Sequence, residues 1–96
     1  MKQLHYDAVN GEAIPVGLLR ERLKEFIDDE SRQNWIVSSE CVISCLRLMI
    51  KNKEIPHDLV LVFSYGTPII INETGKQKNW PAGFGGHYET IWAKLI

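Results

Sequence analysis

Most signals that would announce a function are scarce or missing in this chain. Its 96 residues include only two cysteines, Cys41 and Cys45, too few for a disulfide framework, so a reducing cytoplasm is the expected compartment. No window approaches the ~18–20 consecutive apolar residues of a membrane span. Met1-Lys2-Gln3 opens into mixed polar sequence and not into a signal-peptide core. Neither charge sign is in excess: 11 basic and 12 acidic residues leave a formal net charge of −1. Such a chain has no overall field to draw it onto a phosphate backbone, which disfavours a nucleic-acid partner, and no membrane association is expected. The phosphate-binding pattern of glycines followed by Lys-Ser/Thr is missing, as is a GxGxxG placed after a strand.

What remains has ordinary globular composition, 45% hydrophobic and 24% charged. A chain of this length and balance folds as one domain spanning residues 1–96. The stretch Pro56 to Trp80 reads as its centre. Leu59-Val60-Leu61-Val62-Phe63 is an unbroken, β-branched-rich run bounded by turn signals, the pattern of a central strand covered on both faces. Pro68 has no N–H to close a two-residue loop at Gly66-Thr67, so a wider first turn is expected. At the second turn, Asn72 and Gly75 suit a three-residue loop with a bulge.

The expected fold is α+β. A three-stranded, mostly antiparallel sheet (about 58–64, 69–72 and 76–80) carries two helices (about 15–28 and 39–53) and a short C-terminal helix (about 87–95). Helical spacing of Val16, Leu19, Leu23, Phe26 and Ile27 supports the first helix, with Pro15 in its first turn. Val42, Cys45, Leu46, Met49 and Ile50 form the stripe of the second, which starts after Ser38-Ser39 and ends before Pro56. Leu4 to Ala8 is a weak strand that could add an edge. If Trp35–Val37 is also a strand, the second helix joins it to Leu59–Phe63 as a parallel βαβ unit. Asp28-Asp29-Glu30 opposes the dipole at the end of the first helix, so it marks either a solvated loop or a contact for a basic partner.

The loop from Trp80 to Tyr88 has the most unusual local composition. Trp80, Phe84, Gly85, Gly86, His87 and Tyr88 are the candidate binding residues, because aromatics can fill a partner's pocket and glycines can present bare N–H groups. The alternative is that Trp80 and Phe84 pack into the core. Cys41 and Cys45, four residues apart, could share a metal with His57 or His87, but a single pair at this spacing is not a zinc pattern. No metal or other cofactor is expected. No nucleophile motif surrounds either cysteine, Ser44 or Ser64, and no catalytic residue is assigned. Lys51, Lys53, Lys76 and Lys78 fit dipole placement and edge protection.

These readings lead to a small non-enzymatic binding protein that regulates or inhibits a protein partner through the aromatic Gly-rich loop. A small domain can also bury an apolar surface such as Trp35 or Trp92 against a second copy, giving a homodimer. The alternative function is a small-ligand enzyme or sensor whose Gly85-Gly86-His87-Tyr88 loop holds an anionic ligand.

Overall fold

Strand β1 (Lys2–Tyr6) is held on both sides by parallel partners. In the computed structural model, which describes residues 2–79, it pairs with β2 (Asn34–Val37) on one side and β3 (Val60–Ser64) on the other. Strand β4 (Thr67–Ile69) returns antiparallel to β3, giving the order β2-β1-β3-β4. The sheet is therefore four-stranded and mixed, and the expected three-stranded, mostly antiparallel sheet is corrected. Two short strands were underweighted by their few residues. The N-terminal segment proves to be an inner strand and not an edge, and the parallel βαβ unit from Trp35–Val37 through the second helix is present.

Alternation sets the core. Leu4, Trp35, Val37, Val60, Val62 and Ile69 point to one face and are buried together with both helices. Helix α1 (Leu19–Asp28), entered through a 3-10 turn at Val16–Leu18, buries Leu19, Leu23 and Phe26. Helix α2 (Glu40–Lys51) buries Val42, Ile43, Leu46, Met49 and Ile50. Ser39 caps α2 by accepting from the Cys41 N–H at 3.1 Å, and Glu40 places a carboxylate in its first turn. With both helices on one face, the step from β1 to β2 and the return across β1 to β3 have opposite hands. One of these crossovers is thus left-handed, against a strong general preference. The first is routed through Glu12, which pairs parallel to Val37 on the outer side of β2 and accepts from Trp35 Nε1 at 3.1 Å.

The acidic run resolves locally. Helix α1 ends at Asp28, and the carboxylate of Asp29 accepts from the Ser31 N–H and hydroxyl. The buried Lys2 ammonium donates to the carbonyls of Asp29 and Arg32 and lies 4.8 Å from the Phe26 ring centre. A cation at the carbonyl end of α1 offsets the unfavourable acids there.

The β3–β4 hairpin corrects the expected wide loop. Its two-residue turn is Tyr65-Gly66, with φ of 48° and 82°, flanked by the pair Ser64↔Thr67. Pro68 then falls opposite Phe63, a non-hydrogen-bonded position where its missing N–H costs the ladder nothing. The second turn is as expected: the Gly75 N–H donates to the Asn72 carbonyl at 2.9 Å, and Gly75 has φ of 82°. Of the strands expected over 69–72 and 76–80, Ile69 ends β4 and, among the described residues after it, the pairing is an isolated bridge, Ile71↔Gln77. Trp80 and the helix expected over 87–95 lie outside the described residues.

Gly75 meets α2 closely, and an added Cβ would lie 2.4 Å from the Arg47 carbonyl oxygen. Gly75→Ala should therefore cost on the order of 1–3 kcal/mol from the backbone conformation alone, with overlap adding to that. Lys2→Met should cost about 1.5–3 kcal/mol, the range for hydrogen bonds from a charged donor. Urea denaturation of each variant measures both losses.

Candidate functional site

The face of the sheet opposite the helices carries several exposed apolar side chains. Strand register sets its side chains in two rows. Ile36, His5, Phe63 and Pro68 form one row across all four strands, and Asn34, Gln3 and Leu61 form the next. Ile70 continues that apolar surface beyond β4. Ile36 is 49% exposed, Leu61 42% and Ile70 58%, so among the described residues Leu59–Phe63 is covered on one face and not on both as its composition suggested. The run is apolar throughout because one side of it packs on the helices while the other faces outward.

The His5 and Phe63 rings stack at 4.9 Å between centres, with 13° between planes. That separation matches the ~4.8 Å between neighbouring strands, so the rings stand side by side on the sheet and present their edges. A platform for nucleic-acid bases needs ring faces turned outward, and this pair turns its faces to each other. Beside it, where β3 and the chain after β4 separate, a trough of about 230 Å³ is lined by Leu61, Phe63, Pro68 and Ile70, with His57 and Asp58 among its other wall residues.

A second groove of about 300 Å³ runs by the carboxyl ends of the strands, lined by His5, Tyr6, Asp7, Asn34, Ile36 and Tyr65. Tyr65 is unusual there. A bulky residue at φ of 48° is strained, and the position is held by tertiary bonds: its hydroxyl accepts from the Ala8 N–H at 3.0 Å and its ring meets Tyr6 edge-on at 5.6 Å. Asp7 is engaged by its own turn. Its carboxylate accepts from the N–H groups of Val9 and Asn10 and from Asn10 Nδ2, and these bonds, led by the Asn10 N–H, hold its pKa below the ordinary carboxylate value.

The other residues singled out from sequence do not converge. Cys45 is buried on α2, where desolvation raises its thiol pKa, and Cys41 is half-buried. His57 stands in an exposed turn, and no group of three or more His, Cys, Asp or Glu suited to a metal occurs among the described residues. Trp35 is 4% exposed and sits against Phe26 in the core, so it is not a surface for a second copy. Trp80, Phe84, Gly85, Gly86, His87, Tyr88 and Trp92 lie outside the described residues. Ile36, Leu61 and Ile70 were not singled out as surface residues. Their signal was available only as apolar residues at outward strand positions, which required the register to be known.

Among the described residues no helix is long and apolar enough to cross a membrane. Comparison with known proteins finds no matching family model, no similar curated protein and no similar solved structure.

The sign of the Asp7 shift sets a pH dependence. A carboxyl with a lowered folded-state pKa contributes stability that is fully present above the unfolded value of about 3.9. That contribution is lost as pH falls through the lower folded value. Carboxyl-carbon NMR should find the Asp7 midpoint below about 3.9, and Asp7→Asn should remove its part of the acid-induced loss of stability. A midpoint at or above the unfolded value would contradict the turn geometry.

Proposed function

We propose that this chain is a small non-enzymatic protein-binding module that regulates or blocks its partner. The observation that carries the reading is the outward row of Ile36, His5, Phe63 and Pro68, continued by Leu61 and Ile70. Exposed apolar side chains grouped around a polar centre, here His5 and Gln3 on β1, fit a protein interaction site. Its components suit a protein partner more than a small anionic ligand. The trough is mostly apolar, with Asp58 among its wall residues, and the neighbouring groove holds the Asp7 carboxylate, so neither offers a cationic partner to an anion. The loop Trp80 to Tyr88 enters this reading as a second contact, in which Phe84→Ala or Trp80→Ala weakens the complex by about 1 kcal/mol or more.

The test is affinity co-purification of the tagged full chain from its own cells, with quantification of whatever protein accompanies it. Leu61→Arg should deplete the partner at least tenfold, while Arg22→Glu, an exposed substitution on α1, should leave it in place. Equal recovery with both variants would remove the sheet face from the proposal.

A further inference from the structure

We infer that Asn10 is a site of spontaneous covalent modification, converting through a cyclic imide with Gly11 to aspartate and isoaspartate, and that the Asp7 turn sets the rate. This inference is independent of the protein-binding reading.

The sequence supplies the chemistry. Asn10-Gly11 is the only Asn-Gly step in the chain. Asparagine is thermolabile because its side-chain carbonyl carbon can be attacked by the amide nitrogen of the next residue. Glycine, with no Cβ to restrict its backbone, allows that approach most freely. The Gly11 nitrogen gives its proton to solvent base and bonds to Asn10 Cγ. The Cγ–Nδ2 bond breaks, and Nδ2 takes a proton from solvent and leaves as ammonia. Water then opens the succinimide ring. Addition at Cγ gives aspartate, whereas addition at the Asn10 main-chain carbonyl gives isoaspartate, whose backbone runs through Cβ and Cγ. Both steps proceed without oxidation or reduction, and water is the co-reactant.

The fold holds both reacting groups back. Asn10 is exposed in the turn after β1, so water has access to it. The Gly11 N–H donates to the Asp7 carbonyl at 2.9 Å, and Asn10 Nδ2 donates to Asp7 Oδ2 at 3.1 Å. Asp7 Oδ1 accepts from the N–H groups of Val9 and Asn10, both at 3.0 Å. Ring closure needs the nitrogen and Cγ to meet in an aligned near-attack arrangement. The carboxamide must therefore turn away from Asp7, and the Gly11 N–H must leave its acceptor, before the bond can form. One hydrogen bond to a charged acceptor is enough to disfavour that departure by about tenfold or more.

The product would not fit as the asparagine does. Gly11 packs so closely on β2 that an added Cβ would overlap the Val37 carbonyl. The next residue is tied to β2: the Glu12 N–H donates to the Ile36 carbonyl at 2.8 Å, and the Glu12 carbonyl accepts from the Ser38 N–H at 3.0 Å. Isoaspartate adds Cβ to the main chain immediately before this contact and displaces it. Either product also exchanges a donor to Asp7 for a second carboxylate, beside an acid that lines the groove at the carboxyl ends of the strands.

The experiment incubates the full chain at mildly alkaline pH, folded in buffer and unfolded in urea, and follows each asparagine by peptide mapping with chromatographic separation of the isoaspartyl and aspartyl products. Asp7→Asn is run alongside, since it keeps an oxygen acceptor for the backbone N–H groups and removes the carboxylate that holds Asn10 Nδ2. Asn10→Gln is the control, because its longer side chain disfavours ring closure. The expected result is conversion at residue 10 ahead of every other asparagine, slower by about tenfold or more in the folded chain than in urea. Folded Asp7→Asn, its fold checked by its melting temperature, should react at a rate between the two, and Asn10→Gln should show no conversion at that position. Absence of product at Asn10 in the folded chain, or faster conversion at another asparagine, overturns the site. Equal rates in buffer and urea, or a folded Asp7→Asn no faster than the parent, overturns the role of the Asp7 turn.

Discussion

The pairing of β1 with a parallel neighbour on each side is the constraint on which the rest of the molecule depends. Period-two alternation fixes which residues of three strands meet the helices, because Leu4 is in register with both Trp35 and Val62. A slip of one residue in β1 would send Leu4 outward and bring His5 against the core. The same register lines up Ile36, His5, Phe63 and Pro68 on the opposite face. Core and candidate surface are thus two consequences of one alignment.

The ends of the elements are secured by polar groups that the sequence places far apart. Lys2 begins the first strand and closes the carbonyl end of α1 through Asp29 and Arg32, while Arg32 lies 5.4 Å from the ring centres of both Phe26 and Trp35. Gly75 lets the second turn lie against α2, where its carbonyl accepts from buried Arg47 Nε at 3.0 Å. Placing Arg47 in the helix interior is expensive unless its donors are bonded, and this carbonyl takes one of them. The hairpin after β4 and α2 are thereby held to each other.

Helices were more legible than strands. The spacing of Leu19, Leu23 and Phe26 and the cap at Ser39 located α1 and α2 to within a few residues, because helical periodicity is sampled several times within each segment. Strand β1 has only five residues and β2 only four, so alternation is sampled about twice and competes poorly with the long apolar run of β3. That run concealed its own outward face, since Leu61 looks no different in sequence from its buried neighbours. Pro68 was read correctly as lacking a donor, but the turn shifted by one residue to Tyr65-Gly66, where no donor was needed. The candidate surface was therefore hidden until register was known. The aromatic loop was conspicuous in composition alone.

The central claim is that the described helices pack on one face of this sheet and leave the other open among the described residues. Methyl NMR of the full chain with a soluble paramagnetic agent reads this directly. The account predicts strong broadening of the Ile36, Leu61 and Ile70 methyl signals, with those of Leu4, Val37 and Val62 protected. Equal protection of both sets would mean that the outward face is covered, by the rest of the chain or by a second copy, and would contradict the account.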